Sequence, residues 1–392
     1  MKKVFALVMA AAMLVAMMAG CSKTGSNEGN GTEDATAIKI GLTGPLTGNL
    51  AAYGTAVEAG MEIAVAEINA KAEAEGGLKI EFKSADDQGD ADKSVNAYNI
   101  LKDWGMQFFA GAVTTDPCNS IAPNAVEDQI LMMTPSGSAE SIALAGSNVY
   151  QMCFTDPNQG ASAAELIKQE WPDAAIGVIY DYGDAYSSGI FDGFKAKAAE
   201  LGLSIVKETA FTSDNSADLS AQVTQCKDAG ATLVFLPIYY TEATRVLNAA
   251  NTIGYEPTFF GCDGMDGILT VEGFDQNLEE GLVLMTPFDA KATDEATVSF
   301  VTQFKEKMNG LEPNQFAADG YDVIYAIYNA CVAAGVDGTT PAAEACEKVT
   351  AQINEMTFDG LTGKGMQWDE NGMISKTPAA VVITDGVYVP VN

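Results

Sequence analysis

Short apolar runs alternate with segments of helical periodicity from residue 38 to residue 260. The run 38–42, for example, precedes a segment in which apolar residues such as Val57 and Met61 recur at helical spacing. This alternation predicts strands and helices in turn, an order typical of parallel sheets built from right-handed βαβ units. The predicted strands are 38–42, 78–82, 108–112, 130–133, 176–180, 204–208, 233–237 and 258–260. The predicted helices are 50–72, 92–104, 119–127, 158–170, 186–201, 219–229 and 243–253.

The roughly 370 residues after position 20 are too many for one hydrophobic core and fit two lobes. One strand–helix series ends near Asp156-Pro157, where a second begins, and helices predicted at 295–309, 316–334 and 341–354 return to the first lobe. We therefore predict the α/β class, with two doubly wound parallel-sheet lobes joined by a three-strand hinge. The predicted first lobe is 37–156 plus 287–370, and the predicted second lobe is 157–286 plus 371–392.

The N-terminus has the pattern of an exported lipoprotein. Lys2 and Lys3 precede an uncharged apolar run, and Met18-Ala19-Gly20-Cys21 matches a bacterial lipoprotein cleavage box. We expect a signal peptide at 1–20, lipid attachment at Cys21 and a flexible Gly/Ser/Asn-rich tether over 21–36. The folded part would then hang from the outer face of the cytoplasmic membrane. An uncleaved signal anchor is the alternative.

Composition excludes several classes of function. The formal charge is -32, and removal of Lys2 and Lys3 with the signal peptide makes it -34. This negative charge excludes nucleic acid as a partner, and it excludes electrostatic binding to anionic lipid. The chain has no His, which rules out a Ser-His-Asp triad and a His-ligated metal. Arg245 is the only Arg and is expected on a helix surface. Hydroxyls, backbone N–H groups or Lys must therefore hold any bound carboxylate. No cofactor or metal is expected.

Six cysteines follow Cys21, none of them in a CxxC or metal-type spacing. An exported location permits disulfides, and two consecutive predicted helices carry Cys331 and Cys346, which a bridge could join. Cys is also a small buried apolar residue. The sequence leaves both possibilities open for these two and for Cys118, Cys153, Cys226 and Cys262.

Two predicted strands end in hydroxyl residues. Thr114 and Thr115 precede the helix-opening pair Asp116-Pro117, and the next strand stops at Thr134-Pro135-Ser136-Gly137-Ser138. In an open α/β sheet ligands bind beyond the carboxyl ends of the strands, and helix N-termini there favour anions. The pattern predicts a cradle for a small carboxylate. Ordinary turn and cap residues are the alternative.

Eight stretches of the chain are informative through their order and spacing: IGLTGPLTGNLAAYG, SADDQGDADKSVNAYNIL, AGAVTTDPCNSIAPNAVEDQILMMTPSGSA, IGVIYDYGDAYSSG, LPIYYTEA, FFGCDG, FAADGYDVIYAI and LTGKGMQWDENG. Together they resemble the leucine/isoleucine/valine-binding family of solute-binding lipoproteins, which has the type I periplasmic-binding fold and serves ABC transporters. The likeness covers nearly all of 37–392. Position 114 is Thr and not Cys, so the first-lobe disulfide of some members is not expected.

The resemblance implies a role for particular positions. Thr115 and Ser138 would bind the α-carboxylate of an amino acid, and the carbonyl of Ser136 would accept from its α-ammonium. Asp263 would pair with that ammonium, although many members have the longer Glu there. Tyr182 is a rival to Tyr186 in the pocket. The positions implied to line the side-chain pocket are Tyr53, Val113, Tyr186, Tyr239 and Phe316.

The function implied is binding without catalysis. The chain would be a monomeric, lipid-anchored protein that delivers a neutral, branched-chain aliphatic L-amino acid to an ABC transporter permease. A small polar or aromatic amino acid is the nearest alternative ligand. A same-fold receptor for a neutral amide, urea or sugar is the alternative function. An exported glycosidase with paired carboxylates is a further class, but it would leave the Thr/Ser strand ends without a role.

Overall fold

A computed structural model describes residues 36–391. The predicted signal peptide and the lipid attachment at Cys21 lie outside the described residues, as does the predicted tether except for Thr36. Within 36–391 no helix combines the length and the apolar character needed to cross a membrane.

The first of two sheets has five parallel strands in the order β2-β1-β3-β4-β5. Ile38, Ile40 and Leu42 of β1 and Phe108 of β3 belong to one buried cluster, and the next residue, Phe109, belongs to another. Because successive side chains of a strand point to opposite faces, the sheet is buried on both faces. The register pairs Ile38 with Ile80 and Ile40 with Phe108. The strands are β1 (Ile38–Gly44), β2 (Ile80–Asp86), β3 (Phe108–Phe109), β4 (Leu131–Thr134) and β5 (Val149–Gln151).

Helices from two parts of the chain cover this sheet. Four follow its strands: α1 (Ala51–Glu75), α2 (Ala91–Asp103), α3 (Thr115–Glu127) and α4 (Glu140–Ala143). Three more come from later in the chain: α9 (Glu295–Lys307), α10 (Gln315–Ala334) and α11 (Ala342–Ile353). Helix α10 packs along α1, and its buried Val323, Ile324 and Ile327 join the core of the first sheet. The late helices therefore return to the first sheet.

The second sheet has seven strands in the order β12-β11-β10-β9-β8-β6-β7. Strands β6 to β10 run parallel, and β11 and β12 add an antiparallel edge. The strands are β6 (Ala175–Asp181), β7 (Ser204–Phe211), β8 (Leu233–Leu236), β9 (Thr258–Gly261), β10 (Val283–Thr286), β11 (Ala379–Thr384) and β12 (Val387–Pro390). Its helices are α5 (Asp156–Glu170), α6 (Ala185–Leu201), α7 (Ser220–Asp228) and α8 (Tyr240–Thr252).

Local sequence explains where helix α6 begins and ends. The carboxylate of Asp184 caps its start by accepting the Ser187 N–H at 3.2 Å. Gly202 ends the helix in the left-handed conformation, with φ 66°, which Gly adopts without a steric penalty. Between these ends Ile190 and Phe194 are fully buried, and α6 packs on α5 against the second sheet.

We call the first sheet with α1–α4 and α9–α11 the first lobe, and the second sheet with α5–α8 the second lobe. The chain passes between the lobes three times: between β5 and α5, between β10 and α9, and in the segment before β11. The α/β class with parallel sheets is as the sequence predicts. Helix α3 starts four residues before its predicted start, and strands β5, β10, β11 and β12 and helix α4 were not predicted.

Candidate functional site

A small cavity lies between the two lobes. Its walls come from strand ends and helix starts of both sheets, as expected for ligand sites in open α/β folds. The lining residues are Tyr53, Val113, Thr114, Thr115, Ser136, Tyr186, Tyr239, Asp263, Gly264 and Phe316.

The start of helix α3 forms one wall of the cavity. Thr115 is the first helical residue and is 1% exposed. The first N–H groups of a helix have no partner within the helix and carry a partial positive charge. Next to them, the buried Oγ1 of Thr114 has no hydrogen-bond partner among the described residues. This wall therefore offers donors to an anionic group.

Hydroxyl groups fix the loop after β4 beside that wall. Ser136 Oγ donates to the Val113 carbonyl at 2.6 Å. Thr134 Oγ1 donates to the Ala112 carbonyl at 2.7 Å and accepts the Gly137 N–H at 2.8 Å. These bonds tie the two hydroxyl-rich strand ends together, so the sequence prediction of adjacent strand ends matches the geometry here.

Ser138 lies outside the lining of the cavity. It is fully buried, and its carbonyl accepts the Asp156 N–H at 2.9 Å where the chain enters the second lobe. Burial raises the pKa of the Asp156 carboxyl well above its ordinary value. In this structure Ser138 thus lies at the junction of the lobes.

Asp263 is the carboxylate of the cavity. It follows β9 and is 3% exposed. Tyr186 Oη donates to its Oδ1 at 2.7 Å, and its own N–H donates to Gln159 Oε1 at 3.1 Å. Burial raises the pKa of Asp263 to about 6, and the hydrogen bond from Tyr186 opposes the rise. The carboxylate is therefore held in place and is still ionised at neutral pH.

Gly264 allows a close approach behind Asp263. Its N–H donates to Tyr186 Oη at 2.9 Å, and its carbonyl accepts from Tyr53 Oη of the first lobe. A Cβ at this position would lie 2.6 Å from the Tyr186 hydroxyl oxygen. Only glycine fits without displacing Tyr186, and the Tyr53 bond joins the two lobes beside the cavity.

Aromatic rings form the remaining wall. Tyr186 and Tyr239 stack with ring centroids 4.8 Å apart, and the edge of Tyr53 meets Phe316 at 4.7 Å. Tyr182, the rival of Tyr186, is 63% exposed and does not line the cavity. The structure therefore puts Tyr186 at the cavity and Tyr182 on the surface.

The charge of the lining is unbalanced. Asp263 is its one carboxylate, and the lining contains no Lys or Arg. An ionised buried carboxylate is unfavourable unless a cation or hydrogen-bond donors face it. Within residues 36–391 no group of three or more acidic or Cys side chains is placed to hold a metal ion. The arrangement thus suits a ligand with a cationic group at one end and an anionic group at the other.

The six cysteines of the described chain are free and buried. The bridge between Cys331 and Cys346 that the sequence left open is therefore not formed. Both side chains pack as small apolar residues in the core at the α10–α11 contact. Because they are buried, the pKa of each thiol is raised, which keeps the thiols protonated.

Sequence reasoning missed two lining residues and one supporting residue. The sequence marks Thr114 as a strand-end hydroxyl without a contact of its own, and it indicates no role for Gly264. Gln159 is fully buried and orients Asp263, but 104 positions separate the two residues. The one sequence signal that could have indicated a close contact here is Gly264 itself, next to Asp263.

Fold and cavity together define a two-lobed α/β binding protein with its candidate site between the lobes. The chain belongs to the periplasmic binding protein family, whose sequence model matches residues 37–386. This confirms the resemblance and the type I fold expected from the sequence.

Three similar proteins are named for binding and not for a catalysed reaction. The Leu/Ile/Val-binding protein homolog 3 of Brucella melitensis is 34% identical over 229 residues, 58% of this chain and 61% of that protein, so the match spans less than two thirds of its length. The leucine-, isoleucine-, valine-, threonine-, and alanine-binding protein of Pseudomonas aeruginosa is 27% identical over 340 residues, 86% of this chain and 87% of that protein. The crystal structure of a leucine-binding protein from Thermotoga maritima superimposes with a TM-score of 0.79 at 26% identity, over 91% of this chain and 98% of that one.

Proposed function

We propose that this protein is an extracytoplasmic solute-binding protein of an ABC transporter, and that it binds a neutral L-amino acid between its lobes without transforming it. The observation that carries the proposal is the position of Asp263. This buried carboxylate shares a small cavity with the start of helix α3, and the lining contains no basic side chain. An amino-acid zwitterion supplies the missing cation and an anion for the helix start.

In this proposal the ligand carboxylate binds at the start of α3. The Thr115 hydroxyl and the free N–H groups of the first helical turn donate to it. The ligand ammonium pairs with Asp263 and donates to the Ser136 carbonyl. Ser138 lies outside the present lining, so its proposed contact with the carboxylate requires a shift at the lobe junction.

The proposed side-chain pocket is apolar and aromatic. Burial of a leucine-sized side chain there would contribute roughly 1.5–3 kcal/mol. A charged side chain would lose its hydration without gaining a partner, which outweighs that gain. The names of the similar proteins support a branched-chain ligand such as leucine, isoleucine or valine. The pocket residues are Tyr53, Val113, Tyr186, Tyr239 and Phe316.

Ligand binding and lobe closure are linked in this proposal. The ligand first meets the first-lobe wall, and closure about the three crossings then brings Asp263, Tyr186 and Tyr239 onto it. The ligand favours the closed form only through contacts that the open form lacks. We place the lobe boundaries at 37–156 plus 287–370 and at 157–286 plus 371–392. The closed, monomeric protein would present both lobes to the permease.

A ligand screen tests the proposal. Thermal-shift and calorimetric titrations would use leucine, valine, phenylalanine, serine, glutamate, lysine and leucinamide. We expect leucine or valine to bind most tightly and leucinamide, which lacks the carboxylate, to bind much more weakly. Tight binding of glutamate or lysine with leucine inert would contradict the neutral-ligand assignment. Equal binding of leucinamide would favour the receptor for a neutral amide.

A further inference from the structure

The loop between β1 and α1 contacts the second lobe beside the amino-acid cavity. The Asn49 carbonyl in this loop accepts two hydroxyl donors from the start of helix α8. Tyr240 Oη donates to it at 2.7 Å and Thr241 Oγ1 at 3.0 Å. The Tyr240 hydroxyl also accepts the Ala52 N–H at 3.4 Å. Tyr240 and Thr241 do not line the cavity.

The acceptor side of this contact is fixed to the first lobe. The Leu46 N–H and the Thr47 N–H both donate to Asp86 Oδ1, at 2.9 Å and 3.2 Å. Thr47 Oγ1 donates to the other oxygen of the same carboxylate. Because Asp86 ends strand β2 of the first sheet, the loop moves with the first lobe.

The donor side is fixed to the second lobe. Tyr240 and Thr241 form the first turn of α8, whose buried Val246 and Leu247 belong to the core. The edge of the Tyr240 ring packs on Tyr53, with centroids 4.9 Å apart. The bonds to Asn49 therefore join two lobes that the proposed hinge would separate.

We propose that Tyr240 and Thr241 form a latch with the Asn49 carbonyl that sets ligand affinity without touching the ligand. When the lobes separate, water replaces these hydroxyl donors. The latch thus adds to the stability of the closed form alone, and a ligand that requires closure binds more tightly because of it. This inference rests on the proposed function, since it assumes that binding requires closure.

The test is the double substitution Tyr240→Phe and Thr241→Val, which removes both hydroxyls and keeps the ring and the side-chain volume. A matched control is Tyr255→Phe with Thr252→Val. Those two hydroxyls donate to Ala231 and Asn248, both within the second lobe. Full-length protein is titrated with leucine, and dissociation is followed by stopped flow.

We expect the latch variant to bind leucine about tenfold more weakly than the control, because each hydrogen bond has a modest net effect. The loss should arise from faster dissociation, since the open form that meets the ligand is unchanged. Equal leucine affinities of the latch variant and the control would overturn the latch proposal.

A second readout keeps the latch separate from the proposed function. If the parent protein binds no amino acid, the proposed function fails, and hydrogen exchange of the ligand-free proteins decides about the latch. The ligand-free ensemble includes closed molecules, in which the Ala52 N–H donates to Tyr240 Oη, so faster exchange of residues 46–53 in the latch variant than in the control supports the latch. Identical exchange overturns it.

Discussion

The Tyr186 hydroxyl lies 2.7 Å from Asp263 Oδ1 and donates a hydrogen bond to it. The same hydroxyl accepts a hydrogen bond from the Gly264 N–H, and the Tyr186 ring stacks on the Tyr239 ring. One side chain of helix α6 therefore orients the only carboxylate of the cavity and also forms part of its aromatic wall. This pairing couples the charge of Asp263 to the position of the side-chain pocket.

Tyr186→Phe should weaken amino-acid binding about two- to tenfold, because the ring stays while the hydrogen bond to Asp263 is lost. Without that donor the pKa of Asp263 should rise further, so binding should begin to fail at a higher pH. Calorimetry at several pH values measures both effects. Tyr182→Phe, on the exposed tyrosine, is the control and should change neither. An unchanged Tyr186→Phe variant would show that the hydrogen bond is dispensable.

Ligand affinity should fall as the pH decreases through about 6. Burial raises the pKa of Asp263 to about 6 in the free protein, whereas a bound ammonium would lower it. Binding then releases the proton from protonated Asp263, and acid opposes binding. Below pH 6 we expect a loss of roughly tenfold per pH unit. Affinity for leucine that stays constant from pH 8 to pH 5 would argue against ionised Asp263 as the ammonium partner.

Glu279 should lower the stability of the fold at neutral pH. Its carboxyl is fully buried, both oxygens lack a hydrogen-bond partner among the described residues, and burial raises its pKa to about 7. The folded state keeps a proton that the unfolded state releases above about 4.5, so stability decreases as the pH rises from 4.5 to 7. Glu279→Gln should raise the Tm at pH 8 by about 1–3 °C and have little effect at pH 4. An equal or lower Tm at pH 8 would contradict this.

Lipid attachment at Cys21 is a prediction from the sequence alone. Cys21→Ser should release the protein from membranes or leave an unprocessed precursor. Membrane fractionation and intact-mass analysis measure both outcomes. A variant that remains membrane-bound with the parent's mass shift would show that the signal-lipoprotein interpretation is wrong.

The alternation of strands and helices could be predicted because each lobe buries its parallel strands between helices. Runs such as residues 233–236 are apolar throughout, and helices such as α8 carry one apolar face. Strand β12 could not be predicted in this way. It is short, lies at a sheet edge and leaves Val387 and Val389 partly exposed.

The site could be predicted only in part. Strand-end hydroxyls such as Thr115 indicate an anion cradle by themselves, because strand ends and helix starts meet at one sheet edge. The proposed role of Asp263 comes from the family resemblance. Its bond to Tyr186 joins residues 77 positions apart, and the sequence between them does not encode that contact locally. For Ser138 the sequence was insufficient: it lies outside the cavity lining, because its position depends on how the two lobes meet.

The most direct test of the central claim is calorimetric titration of leucine into the parent protein and into Asp263→Ala, with the exposed Asp214→Ala as control. Removal of one partner from a buried charged pair typically costs several kcal/mol of binding free energy. We therefore predict that Asp263→Ala binds leucine at least about a hundredfold more weakly, while Asp214→Ala matches the parent. Unchanged affinity of Asp263→Ala would contradict the account, because the ammonium of the ligand would then bind elsewhere.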